Sequence, residues 1–261
     1  MLASAIGLFE RDSFSGFLRT LHVLAGITWI GLLYYFNVVQ VPAFAAYGDE
    51  GRARNVSIDK LARRALWWFR WAAVTTFVFG ILITGVEKDY FKNFLSTSGD
   101  GVSAVASHVA ILVGMILGTT MMLNVWGVIW RNQKKVLANA ANVLGGGEAD
   151  PAAAGAGRAA LLASRMNFIF SFSMLWFMVA SAHIYNAGDH FNVNSTGKVV
   201  AFILITLGIA AVLELLALGF IGGKAATNKL LWIFESHRNA MITGAVLWVV
   251  MYGLSEILLR K

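Results

Sequence analysis

The sequence predicts an all-α protein: a polytopic transmembrane helical bundle of about six spans, both termini outside. Three observations predict it. The chain has 261 residues, 58% hydrophobic and only 13% charged, with a mean hydropathy of +0.67. That is the composition of a chain whose solvent is lipid. Six apolar runs each reach the roughly 20 residues that a bilayer requires. Finally, 13 of the 21 lysines and arginines fall in alternate connections, against 7 on the other side and Arg70 within a run. The positive-inside rule places the rich side in the cytoplasm.

The runs are expected at about Phe14–Phe44, Ala65–Gly85, Val102–Trp130, Met166–Tyr185, Val199–Ile221 and Asn239–Leu259. Asp12 and Ser13 are suited to cap the first. Met1 to Phe9 lacks an early positive charge and makes a poor signal peptide. The first basic connection carries Arg52, Arg54, Lys60, Arg63 and Arg64; the second Arg131, Lys134, Lys135, Arg158 and Arg165; the third Lys224, Lys229 and Arg238. The second is long. Gly145-Gly146-Gly147 and Pro151 break any helix there, which predicts a flexible cytoplasmic linker over about 136–165 between two short surface helices. No polar stretch is long enough to bury a core of its own, so residues 1–261 form a single integral-membrane domain. Trp67, Trp68, Trp71, Trp126 and Trp130 lie near run ends, as belt residues do.

With no cysteine, disulfides, thiolate-bound iron–sulfur clusters and covalently attached c-type haem are excluded. The net charge of +7 comes from short loops and shows no basic-aromatic pattern suited to nucleic acid. The partner that composition implies is membrane lipid.

Four of the five histidines are expected at one face. His22 falls in the outer third of the first run, His108 near the start of the third, His183 at the end of the fourth, and His190 in the following loop. His237 is alone on the cytoplasmic side. Ionisable groups within a membrane mark functional sites. His22, His108 and His183, at similar depth on three helices, form a candidate ligand set for a single haem b, with another metal the alternative. Gly26, one turn after His22 on the same helical face, and Ala180, beside His183, would let a flat ring approach. His108 and His183 are the favoured axial pair, with His22 lining the ring. Arg19, one turn before His22, could hold a propionate through a bidentate contact. Arg70 and Glu214, of opposite sign and similar depth, are expected to pair. Thr119, Thr120 and Asn124 could bond between helices or line a site.

Several stretches carry a family resemblance. They are Leu18-Arg19-Thr20-Leu21-His22-Val23 with Trp29-Ile30-Gly31, then Leu117-Gly118-Thr119 with Asn124-Val125-Trp126 and Asn132-Gln133-Lys134-Lys135, and Ser164-Arg165-Met166-Asn167 running through Leu175-Trp176-Phe177-Met178 to His183. In these the chain resembles the N-terminal membrane domain of the bacterial membrane-bound urate oxidases (urate hydroxylases), here without their C-terminal cytochrome c domain. The resemblance implies an oxidoreductase of urate-oxidase type whose electrons pass to a cytochrome c, here a separate one, or to other membrane redox subunits. His22 and Trp29 on a first span also resemble the membrane protoporphyrinogen oxidases of haem synthesis. Three functions therefore stay open: a haem-binding membrane redox enzyme, a non-catalytic or electron-transfer subunit of a respiratory complex, and a porphyrin-oxidising enzyme. No residue pattern identifies a substrate.

Overall fold

The computed structural model describes residues 10–87, 102–185, 191, 193 and 195–260. Among them every regular element is helical. Six helices are long and apolar enough to cross a membrane: α1 Arg11–Ala46, α2 Gly51–Val86, α3 Ala106–Leu144, α4 Ala152–His183, α5 Thr196–Ala217 and α6 His237–Leu258. Six antiparallel spans put Arg11 and Leu258 at one end, here the terminal end. The connections rich in lysine and arginine lie at the other, the basic end.

The first four helices, of 36, 36, 39 and 32 residues, exceed the roughly 20 that fill the hydrocarbon core. At about 1.5 Å per residue, they are longer than the hydrocarbon core is thick. The predicted linker over 136–165 is correspondingly short. α3 runs unbroken to Leu144, α4 begins at Ala152, and the break is confined to the residues between them. The physical reason is composition: alanine is the strongest helix former, and Ala153, Ala156, Ala159, Ala160 and Ala163 bury against the neighbouring helices. Only the glycine run stops the helix. There Gly146, at φ 88°, adopts the left-handed conformation that glycine alone takes without strain.

Three of the long helices widen by one π turn, at Tyr35–Gln40 in α1, Ile58–Ala62 in α2 and Val125–Ile129 in α3. α4 is the central element: 67% of its apolar window is buried, against 22–44% for the others. Its phenylalanines Phe168, Phe170 and Phe177 are wholly enclosed, as expected of a helix that is apolar on every side. Lipid is as apolar as leucine, so close backbone approach, not hydrophobicity, holds such helices together. Gly114 and Gly118 on α3 provide it. A Cβ at Gly114 would lie 3.3 Å from the Met178 nitrogen, and one at Gly118 3.8 Å from the Met174 side chain.

At the basic end, two arginines on α4 secure the connection that precedes α6. Arg158 spans the Glu235 carboxylate at 2.6 and 3.4 Å and donates from Nε to the Lys224 carbonyl at 2.5 Å. Two turns on, the buried Arg165 donates to the Phe234 carbonyl.

The expected Arg70–Glu214 pair is not formed. The Arg70 guanidinium stacks 3.8 Å above the Trp130 ring. Glu214 accepts from the Asn124 amide at 3.1 Å. Equal depth fixed neither residue's direction around its helix. Arg70→Ala and Glu214→Ala should therefore lower the unfolding midpoint of the detergent-solubilised protein additively, within about 0.5 kcal/mol. A coupling above 1 kcal/mol, on the order measured for contacting pairs, would contradict this placement.

Candidate functional site

Three of the described histidines, His22, His108 and His183, lie toward the terminal end of their helices. His22 sits half-buried on α1, and its Nδ1 lies 2.8 Å from the Thr76 carbonyl oxygen on α2. A carbonyl can only accept, so Nδ1 carries the proton, and in the neutral ring Nε2 keeps a lone pair. The space for the imidazole is made by Gly80: a Cβ there would fall 3.3 Å from Cε1 and 3.5 Å from Nδ1 of His22. Gly26 faces the same helix: a Cβ there would lie 3.8 Å from the Thr76 methyl. Its small size thus serves the approach of α1 to α2. Trp29, two turns beyond His22, is 3% exposed, and its buried indole N–H meets no acceptor among the described residues. A native structure seldom leaves such a donor unmet.

His108 is half-buried near the start of α3, and His183 is exposed as the last residue of α4. The two helix ends are tied together: the Ser107 hydroxyl donates to the Ser181 carbonyl at 2.7 Å. α6 joins them through a 2.6 Å hydrogen bond between the Tyr185 and Ser255 hydroxyls. His237 stands at the basic end, opposite the other three, and His190 lies outside the described residues. Among the described residues, no three His, Asp or Glu side chains draw together into a metal-holding group.

Arg19 is already engaged. Its Nε donates to Ser15 at 3.2 Å and its Nη2 to Glu87 at 3.3 Å. Glu87 also accepts from the Ser15 hydroxyl at 2.6 Å and from Arg11 at 3.5 Å. A propionate at Arg19 would compete with this carboxylate. The Ser15 hydroxyl, followed by the Arg19 guanidinium, holds the Glu87 carboxyl below its ordinary range. A lowered folded pKa means stability that is present above the ordinary carboxylate range and is lost as pH falls through the folded value. Glu87→Gln should therefore cost on the order of 1 kcal/mol near neutrality, and the gap from wild type should close in acid. Equal midpoints at neutral pH would show the clamp to be idle.

A second polar layer lies deeper, where sequence reasoning recognised only single residues. Asn124 donates its two amide protons to Asn167 at 2.9 Å and to Glu214 at 3.1 Å, and Asn167 donates to the Met121 carbonyl at 2.8 Å. A carboxyl on α5 is thus held by neutral amides from α3, backed by α4. Of the other polar residues on α3, Thr119 and Thr120 bond to carbonyls of their own helix. On α4, Ser164 receives a hydrogen bond from Asn37, and Ser171 bonds to Tyr34. With Asn167, these serines repeat at helical spacing along one face, a signal that was readable in the sequence.

Fold and site together define a six-span helical membrane protein with three of its described histidines, His22, His108 and His183, toward one end. No family model, curated protein or solved structure matches the chain in the three comparisons made.

Proposed function

We propose that the protein is a haem-binding redox protein of the membrane, with His22 as one ligand of a single haem b and the second drawn from His108 and His183. One observation carries this: the His22 imidazole is fixed by Thr76 through Nδ1, which leaves Nε2 as the free donor atom. Ligand histidines are typically held in this way, the far nitrogen bound to a carbonyl so that tautomer and ring orientation are set. The unmet Trp29 N–H on the same helix suits an acceptor brought by a bound group. When bound, haem would supply one-electron chemistry in an apolar setting.

The roles of the chain's own residues follow. Thr76 orients His22, Gly80 leaves it room, and the Ser107–Ser181 bond keeps the ends of α3 and α4 together, with His108 and His183 beside them. Arg11, Arg19 and Glu87 close the terminal end between α1 and α2. The resemblance to the urate oxidase membrane domain supplies the direction of electron flow, from a small substrate to a separate cytochrome c or another redox subunit. It also favours the bacterial inner membrane, with the terminal end outside. The deciding experiment is the absorption spectrum of the purified chain with pyridine haemochrome analysis. A Soret band and about one haem b per chain are expected. A protein purified from haem-replete cells with neither haem nor metal would leave a scaffold subunit as the better reading.

A further inference from the structure

Arg70 is the only charged residue of α2 between Arg64 and its end at Val86. Within a span, such a charge calls for a partner. No carboxylate among the described residues meets it. Its guanidinium instead stacks 3.8 Å above Trp130, a cation–π contact that leaves the N–H edge of the planar group available. The direction of the side chain is also fixed. Trp126 donates to the Arg70 backbone carbonyl at 3.1 Å. Trp130, which takes the guanidinium, lies one turn nearer the basic end. Arg70 therefore rises by about a turn from its own backbone toward the head-group level, as snorkelling arginines do.

A second cation meets the same ring. The Lys134 ammonium, on an exposed side chain, lies 5.9 Å from the Trp130 centroid. Two positive charges around one indole repel each other unless an anion lies between them. The surroundings face lipid. Trp67 and Trp71 are 46% and 44% exposed, and Trp71 meets Trp126 edge-on at 5.4 Å. Tryptophans in this position mark the membrane interface.

We propose that Arg70, Trp130 and Lys134 form a binding site for the phosphate of an anionic phospholipid in the leaflet at the basic end. Arg70 would grip the phosphate through its free N–H edge, Lys134 would add a second charge from the aqueous side, and Trp67 and Trp71 would flank the glycerol region. The site lies at the opposite end from His22, His108 and His183 and does not depend on the proposed redox role.

The test uses the full chain in nanodiscs of equal phosphatidylglycerol and phosphatidylcholine, followed by gentle detergent extraction and quantitation of the lipid that stays bound. Wild type should retain phosphatidylglycerol preferentially. Arg70→Gln and Lys134→Gln should each lower that preference about fivefold, the worth of one basic residue at an anionic surface. Lys60→Gln, at the same end but paired with Asp59 at 2.8 Å, should leave it unchanged. Lys134 is exposed, so its variant decides the matter even if Arg70→Gln fails to fold. Equal retention of the two lipids by wild type, or an undiminished preference in Lys134→Gln, would overturn the proposal.

Discussion

On the haem-binding reading proposed above, His22→Ala should abolish haem binding by the purified protein, the largest spectroscopic change expected of any single substitution. The reason is local. In the folded chain the imidazole is held by the Thr76 carbonyl at 2.8 Å and fits a gap that exists because residue 80 has no side chain. Alanine removes the only group on α1 that could coordinate iron from that position. A second variant separates ligation from folding. Gly80→Val keeps His22 but places carbon atoms about where its ring now lies, since even a single Cβ would approach Cε1 to 3.3 Å. The ring must then turn, and the Thr76 bond must lengthen or break. Loss of such an outer-shell bond typically costs tenfold to a hundredfold in affinity, so Gly80→Val should bind haem weakly while His22 remains in place. Loss of the second ligand, whether His108 or His183, should convert a low-spin spectrum to a high-spin one or abolish it. His237→Ala, at the basic end, should change nothing. A full Soret band in His22→Ala would exclude His22 as an essential ligand.

The parts of the molecule that the sequence discloses are those governed by composition and period. Six apolar runs became six helices, and His237 fell at the end opposite the other described histidines. What composition does not encode is direction around a helix. Depth alone suggested that Arg70 and Glu214 would meet, yet each points to a partner on α3, Trp130 for one and Asn124 for the other. The key partner of His22 is a backbone carbonyl 54 residues away, which no side-chain pattern could announce. The continuation of α3 to Leu144 and of α4 from Ala152 was obscured because an alanine-rich stretch reads as low complexity while it is also the best helix former available. The Gly114-Met115-Ile116-Leu117-Gly118 pattern on α3 was legible as a small-residue contact motif, and the structure places both glycines against α4.

The same close-packing logic gives the largest expected loss of stability. Gly244 lies where α6 crosses α4. A Cβ there would stand 2.7 Å from the Phe172 ring and 3.3 Å from the Ile169 Cα. The ring can swing aside, but the backbone of α4 cannot, because that helix is enclosed by the rest of the bundle. Gly244→Leu would therefore push the two helices apart. The separation would strain the Tyr185–Ser255 hydrogen bond of 2.6 Å and the edge-on packing of Trp176 on Tyr252 at 5.2 Å. Overpacking of this kind costs about 1–3 kcal/mol or more, and with no strong hydrophobic drive in lipid to restore the contact, the upper part of that range is expected. Gly253, two and a half turns along the same helix, is the matched control: a Cβ there would meet nothing within 4 Å. Gly253→Leu should be neutral or slightly stabilising, since leucine is the better helix former by roughly 0.8 kcal/mol. Unfolding midpoints of the two variants in the same detergent provide the comparison. If Gly244→Leu proved as stable as Gly253→Leu, α6 would not be held to α4 by close backbone approach.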